Sequence, residues 1–311
     1  MNELRKALEE YLSIRRKLGF KLQRAGKLLD DFVVFTEKQG VSFITAELAL
    51  RWATQSLGCQ TAWSAARLGI VRGFAKYQSV MDPRTEVPSQ QLLPYRYHRR
   101  PPYIYRDDEV KGLIKTAQQL QSPLGLRAAT YSTVFGLLVV TGMRISEPIG
   151  LNRKDVDLIN GILTVYQTKF GKSRLVPIHP STHKALQQYE SLRSRIFPKP
   201  RTDSFFISEQ GTRLTYWTVR NTFVKLSRQI GLRGPHDSHG PRIQDFRHSF
   251  ATKTLLAWYR NGMNVDRHMP ELSAYLGHAH VTDTYWYLSA VPELLQLAAM
   301  RLEQSPKGML P

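Results

Sequence analysis

The chain has 311 residues, length for two domains, and its 42% hydrophobic and 22% charged residues are those of an ordinary globular protein. Its 44 lysines and arginines outnumber 25 aspartates and glutamates, a formal +19, which implies a polyanionic partner, nucleic acid first, with a merely basic surface as the plain alternative. The single cysteine, Cys59, excludes an internal disulfide and a multi-cysteine zinc site, and reads as a buried thiol suited to a reducing cytosol. MNELRKALEEYL lacks the apolar core of a signal peptide, and no apolar run is long enough to span a membrane.

The N-terminal third predicts several helices. LRKALEEYLSIRRKLGF places Leu4, Leu8, Tyr11, Leu12 and Ile14 near one face, with basic residues on the others. RAGKLLDDFVVFTEKQG repeats that pattern and stops at Gly40. A third helix begins near Thr45 and a fourth covers TAWSAARLGIVRGFAKYQ. MDPRTEVPSQQLLPYRYHRRPPY is proline-rich and without helical period, a linker made basic by Arg96, His98, Arg99 and Arg100.

A second unit starts at YRDDEVKGLIKTA, where Asp107 or Asp108 is placed to cap a helix. The long apolar helix AATYSTVFGLLVVTG ends at Gly142. Alternating Ile162, Thr164 and Tyr166, and the run Leu175 to Ile178, predict strands, the first following an Asn160-Gly161 turn. From His183 to Leu302 the pattern is helical again, with short irregular links. There is no internal repeat and no low-complexity tract. The expected fold is mainly α with a small β-sheet: a helical domain over 1–82, a basic linker over 83–103 and a larger domain over 104–311. Its last helix, 291–303, carries an apolar stripe of Leu294, Leu295, Leu297 and Met300, which fits either its own domain or a neighbouring subunit.

If the polyanion is DNA and the reaction is at a phosphodiester, the transition state needs its equatorial oxygens neutralised. Many enzymes hold magnesium there with clustered carboxylates. Here the candidate segments carry arginines instead: Arg144 in TGMRISEPIGL, just past the apolar helix, and Arg247 in RIQDFRHSFAT. Guanidinium groups bind phosphate oxygens bidentately and do not titrate. Taken singly these residues have plainer explanations, a helix-end charge for each arginine and a packing role for Tyr287. Two other motifs fail. FGKSR resembles part of a phosphate-binding loop, but Tyr166 stands where the first glycine is required. HDSH and HAH lack nearby cysteines or paired acids at ligand spacing, so no metal site and no cofactor are expected.

Taken together, the segments resemble the tyrosine recombinase (phage integrase) family, in that family's order. TGMRISEPIGL is similar to its first arginine box, TKFGKSRLVPI to its lysine-bearing β-hairpin, RIQDFRHSFAT to its second arginine box and LGHAHVTDTYWYL to its closing box. The resemblance implies a helical core-binding domain and an α+β catalytic domain that form a C-shaped clamp on DNA. It makes Arg144 and Arg247 the clamp on the scissile phosphate, Glu147 an organising acid, Lys169 the acid for the departing 5′-oxygen and His278 a phosphate donor. The family's nucleophile stands nine residues beyond that histidine, which selects Tyr287 over Tyr285. Neighbours two apart on a helix differ in direction by about 200°, so only one of the two tyrosines faces the phosphate.

One position departs from the family's His-x-x-Arg: Gln244 stands for the histidine, and glutamine cannot shuttle a proton. The base for the tyrosine is then His248, His239 or His236, or its work falls to the field of the two arginines. Arg15, Arg16, Lys21, Arg24 and Lys27 of the first helices, Arg99 and Arg100 of the linker, and Lys172 and Arg174 of the hairpin are expected to contact DNA. The implied activity is metal- and ATP-independent cleavage and rejoining through a 3′-phosphotyrosyl link, by a site-specific recombinase, integrase or tyrosine-type transposase. It implies specific sites on double-stranded DNA, a homotetramer on that DNA, no membrane and a cytoplasmic location. A non-catalytic DNA-binding protein on the same scaffold, or a relaxing enzyme of the type IB topoisomerase kind, is the alternative.

Overall fold

The computed structural model describes residues 3–55, 61–93, 101–166, 173–199, 201–290 and 292–304. They divide into two compact units, Met1–Arg99 and Arg100–Pro311.

Among the described residues the first unit has four α-helices, α1 (Glu3–Lys17), α2 (Gln23–Lys38), α3 (Ala46–Thr54) and α4 (Thr61–Met81), and a 3-10 turn at Gln90–Leu92. Leu4, Leu8 and Leu12 of α1 are buried, joined by Phe32, Trp52 and Phe74 from the other three. Ile14, expected on that face, is 46% exposed, because two steps past Leu12 is a turn of about 200°. The Thr45 hydroxyl caps α3 by accepting from the Leu48 N–H at 3.1 Å. The first part of the expected linker is not a linker. Glu86 N–H donates to Ile44 O at 2.8 Å, Arg72 Nε to Pro88 O at 2.7 Å, and Leu93 packs on the core. Proline removed the helical period here without removing the partners that dock an irregular segment. Cys59, Arg96, His98, Arg99 and Arg100 lie outside the described residues.

The second unit begins with α5 (Asp107–Gln118). Neither aspartate caps it; both lie in its first turn, and Glu109 instead accepts from the Arg106 N–H at 2.9 Å. Next comes α6 (Leu126–Thr141), against which α5 and two later helices, α8 (Pro180–Ile196) and α10 (Asp245–Arg260), pack. Between α6 and α8 lie the short α7 (Ser146–Gly150) and an antiparallel sheet of β1 (Val156–Asp157), β2 (Ile162–Val165) and β3 (Arg174–Pro177), in that order. Leu163 pairs with Val176, and both are buried with Val165, while Tyr166 is exposed. β1 is too short to show a period in sequence.

The rest is helical except for the link to α9 (Tyr216–Gln229), where isolated bridges join Asn152 to Ser204 and Ile207 to Arg213. After α10 come α11 (Val265–Leu276), α12 (Thr282–Ala290) and α13 (Pro292–Gln304). The unit has two apolar clusters, and α10 feeds both: Phe246 enters one with α6 and the sheet, Ala251 and Leu255 the other with α11, α12 and α13. Leu294 of α13 is buried in the second, while Leu295 and Met300 are 52% and 56% exposed. Among the described residues no helix is long and apolar enough to cross a membrane.

Candidate active site

The seam between these clusters is where α6 and α11 end. Gly142 and Gly277 terminate them in the left-handed region, with φ 60° and 70°. Neither tolerates a side chain: a Cβ on Gly142 would lie 2.7 Å from the Phe250 ring, and one on Gly277 2.6 Å from Arg174 Nη1. A helix C-terminus leaves carbonyls without partners and favours cations. At α11 three consecutive carbonyls each receive a different arginine. Tyr275 O accepts from Arg174 Nε at 2.8 Å, Leu276 O from Arg247 Nη2 at 2.8 Å, and Gly277 O from both Arg144 Nη atoms at 3.3 Å. Arg247 Nη1 donates to Gly142 O at 3.0 Å, so one buried guanidinium joins the ends of both helices.

Glu147, at the start of α7, bridges Arg144 and Arg174. Arg174 Nη1 and Nη2 donate to its two oxygens at 3.0 and 2.8 Å, and Arg144 adds its backbone N–H at 2.9 Å and Nη1 at 3.3 Å. Burial pushes the Glu147 carboxyl up, but the bonds and charge of Arg174, then those of Arg144, outweigh it and leave it below the usual range. Burial, then Arg144, brings Arg247 down to about 10, against the opposing pull of Tyr287 and Glu147; it remains a cation at neutral pH.

His278 follows Gly277 directly. Its Nδ1 shares a 2.7 Å hydrogen bond with Thr284 Oγ1. Burial, then Arg247 and Arg144, pushes its pKa down to about 4, so the imidazole is neutral at neutral pH. Tyr287 stacks on it with ring centres 6.1 Å apart at 22°, and is only 2% exposed. Tyr285 is 41% exposed, and its hydroxyl donates to Asp266 at 3.3 Å, away from the arginines. Of the three histidines considered as base, His248 is in ring contact with Tyr287, at 5.6 Å, whereas His236 and His239 are exposed. Gln244 is exposed at the start of α10, in a cavity of about 560 Å³ shared with His239, Arg220, Arg233 and Arg242. Among the described residues its side chain makes no hydrogen bond. No group of three or more His, Cys, Asp or Glu is placed to hold a metal among the described residues either.

The structure therefore brings together Arg144, Arg247, Glu147, His278 and Tyr287. It turns Arg174, expected on DNA, inward: its side chain is 10% exposed and committed to Glu147 and α11. Lys169 and Lys172 lie outside the described residues. In the first unit Arg16, Lys21, Arg24 and Lys27 are exposed, while Arg15 is half-buried over the Phe20 ring at 3.9 Å. Thr284, buried and bonded to His278, has no signal of its own in the sequence.

The sequence pattern of the phage integrase family matches residues 104–293, which contain every residue of this cluster. The chain belongs to the phage integrase family. It is thus a site-specific recombinase of the tyrosine type, an enzyme that cleaves and rejoins DNA strands. The protein y4rB of Sinorhizobium fredii, a candidate integrase/recombinase, is 45% identical over 308 residues, 98% of each chain. Tyrosine recombinase XerD of Staphylococcus aureus is 30% identical over 237 residues, 73% of this chain and 72% of that one. Among solved structures, the integrase of transposon Tn1549, in complex with transposon right end DNA, matches with a TM-score of 0.63 over 96% of this chain and 99% of that one. At 16% identity this last likeness is one of fold.

Proposed function

We propose that Tyr287 attacks the phosphorus of a DNA phosphodiester held by Arg144 and Arg247, giving a 3′-phosphotyrosyl ester and a free 5′-hydroxyl. The observation that carries this is the turn Leu276–Gly277–His278: it receives both guanidiniums and presents the imidazole on which Tyr287 stacks. Two bonds to carbonyls leave a guanidinium N–H groups for phosphate oxygens, and carbonyls that already hold it fix its direction before substrate arrives. His278 acts as a neutral donor: with the Thr284 hydroxyl donating to Nδ1, the ring proton sits on Nε2 and is offered to a phosphate oxygen. His248 takes up the phenolic proton, and Lys169 protonates the leaving 5′-oxygen. Exchanging one phosphoester for another conserves the bond, so neither a nucleotide nor a metal is required. Because Tyr287 is covered in the DNA-free chain, α12 shifts when a phosphodiester is engaged.

The substrate is double-stranded DNA carrying specific recombination sites, met by a tetramer of this chain in the cytoplasm. Residues 1–82 act as the core-binding domain, and Arg16, Lys21, Arg24 and Lys27 supply phosphate contacts. A nicked suicide duplex carrying a recombination site, sought by sequencing the DNA that flanks the gene, tests the chemistry. The expected result is a protease-sensitive covalent adduct that is abolished in Tyr287→Phe, retained in Tyr285→Phe and unaffected by EDTA. Specific binding without an adduct would favour a non-catalytic DNA-binding protein, and loss of the adduct in EDTA would sink the metal-free clamp.

A further inference from the structure

Arg144 is the exposed member of the clamp, with 29% of its side chain accessible, and its long stem needs something to aim it. Glu147 does part of this through the Arg144 N–H and Nη1. A buried carboxylate with Arg144 as its one cationic partner would draw that guanidinium onto itself and neutralise the charge meant for phosphate. Arg174 prevents this. It takes both Glu147 oxygens in a two-pronged pair, and its third contact, Nε to Tyr275 O, ties the pair to the end of α11. The site leaves no slack around it, since the Cβ that Gly277 lacks would strike its guanidinium.

We propose that Arg174 is a positioning residue for strand cleavage: by saturating Glu147 and bolting it to α11, it keeps the Arg144 charge directed at the scissile phosphate. This rests on Arg144 being a phosphate clamp. It assigns to the first residue of β3 a task apart from DNA contact, and it makes the short helix α7 depend on a strand rather than on its own few hydrogen bonds.

The alternative, a buried ion pair that only stabilises the fold, separates on substrate charge. A methylphosphonate at the scissile position replaces one non-bridging oxygen by methyl and removes the charge that Arg144 neutralises. Wild type, Arg144→Ala, Arg174→Ala and Arg174→Lys are each assayed for adduct formation on nicked suicide duplexes carrying phosphate or methylphosphonate. On phosphate, Arg174→Ala is expected to be slower by about 100-fold and Arg174→Lys by about tenfold, an ammonium being unable to span both carboxylate oxygens and a carbonyl. The ratio of methylphosphonate to phosphate rates is expected to rise in Arg174→Ala toward that of Arg144→Ala. A ratio equal to that of the wild type, or no loss on phosphate, overturns the inference. Should Arg174→Ala fail to fold by its melting curve, Arg174→Lys carries the same comparison. Failure of the wild type to form an adduct on phosphate, or an adduct in Tyr287→Phe, would refute the cleavage mechanism itself.

Discussion

The arginines proposed as the clamp and the tyrosine proposed as the nucleophile sit in different surroundings. Arg247 is fixed by hydrogen bonds to backbone carbonyls at the ends of two helices, and Arg144 by a carbonyl and a buried carboxylate. Tyr287 packs its ring against His248, His278 and Trp286 on a nine-residue helix, and Thr284 of that helix is bonded to His278. Directional bonds to backbone define position within tenths of an ångström; ring packing defines a neighbourhood and allows sliding. A phosphate clamp gains from rigidity, because groups oriented in advance need no reorganisation during the reaction. A nucleophile that is covered before DNA arrives and must attack, release and attack again gains from compliance.

The sharpest break of that contrast is Arg247→Ala. It removes the proposed phosphate donor and strips Gly142 O and Leu276 O of the guanidinium bonded to them, so cleavage should fall by about 100- to 1,000-fold and the melting temperature should drop as well. A normal melting curve with dead cleavage would mean that the carbonyl bonds contribute little, and the clamp would lose its rigid character.

Thr284→Val is the matched probe of the other region. It keeps shape and removes the hydroxyl on His278 Nδ1, so cleavage should slow by about tenfold, within the range of loosened second-layer contacts, and Thr284→Ser should restore it. The change in melting temperature should be clearly smaller than for Arg247→Ala; an equal one would erase the distinction between the regions.

The smallest effect is a pH dependence of stability. His278 falls from an ordinary 6.5 to about 4, so between those values the unfolded chain binds a proton that the folded chain refuses. Stability from this group is therefore whole above pH 6.5 and lost as the pH falls toward 4, with the loss complete below the folded pKa. Melting temperatures of wild type and His278→Gln across this window should show the steeper acid decline in wild type. Parallel curves would show that burial and the neighbouring arginine charges do not hold the histidine neutral.

Much of this was legible without coordinates. Arg144, Arg247, Glu147, His278 and Tyr287 lie in short motifs that resemble the family's boxes, and the spacing from His278 in that resemblance selects Tyr287, helix periodicity adding that the two tyrosines cannot both face one phosphate. The order of helices and the β2–β3 pair were visible too, because amphipathic period and turn residues are local properties. The errors were also of one kind. Residues 83–93 looked like linker because proline and charge describe the segment and not the surface it finds, and Ile14 was assigned to the buried face although it lies about half a turn past Leu12.

Charge and pattern in the chain thus determined a basic, mostly helical protein, and the resemblance of four motifs in order pointed to its family. Only the tertiary structure decided what each arginine contacts. Arg144, Arg174 and Arg247 are alike in sequence as cations beside apolar runs, yet they meet three successive carbonyls at the end of one helix, and just one of them is committed to a buried carboxylate by both prongs. That division depends on contacts between residues 27 to 133 positions apart, a separation at which no local pattern carries information.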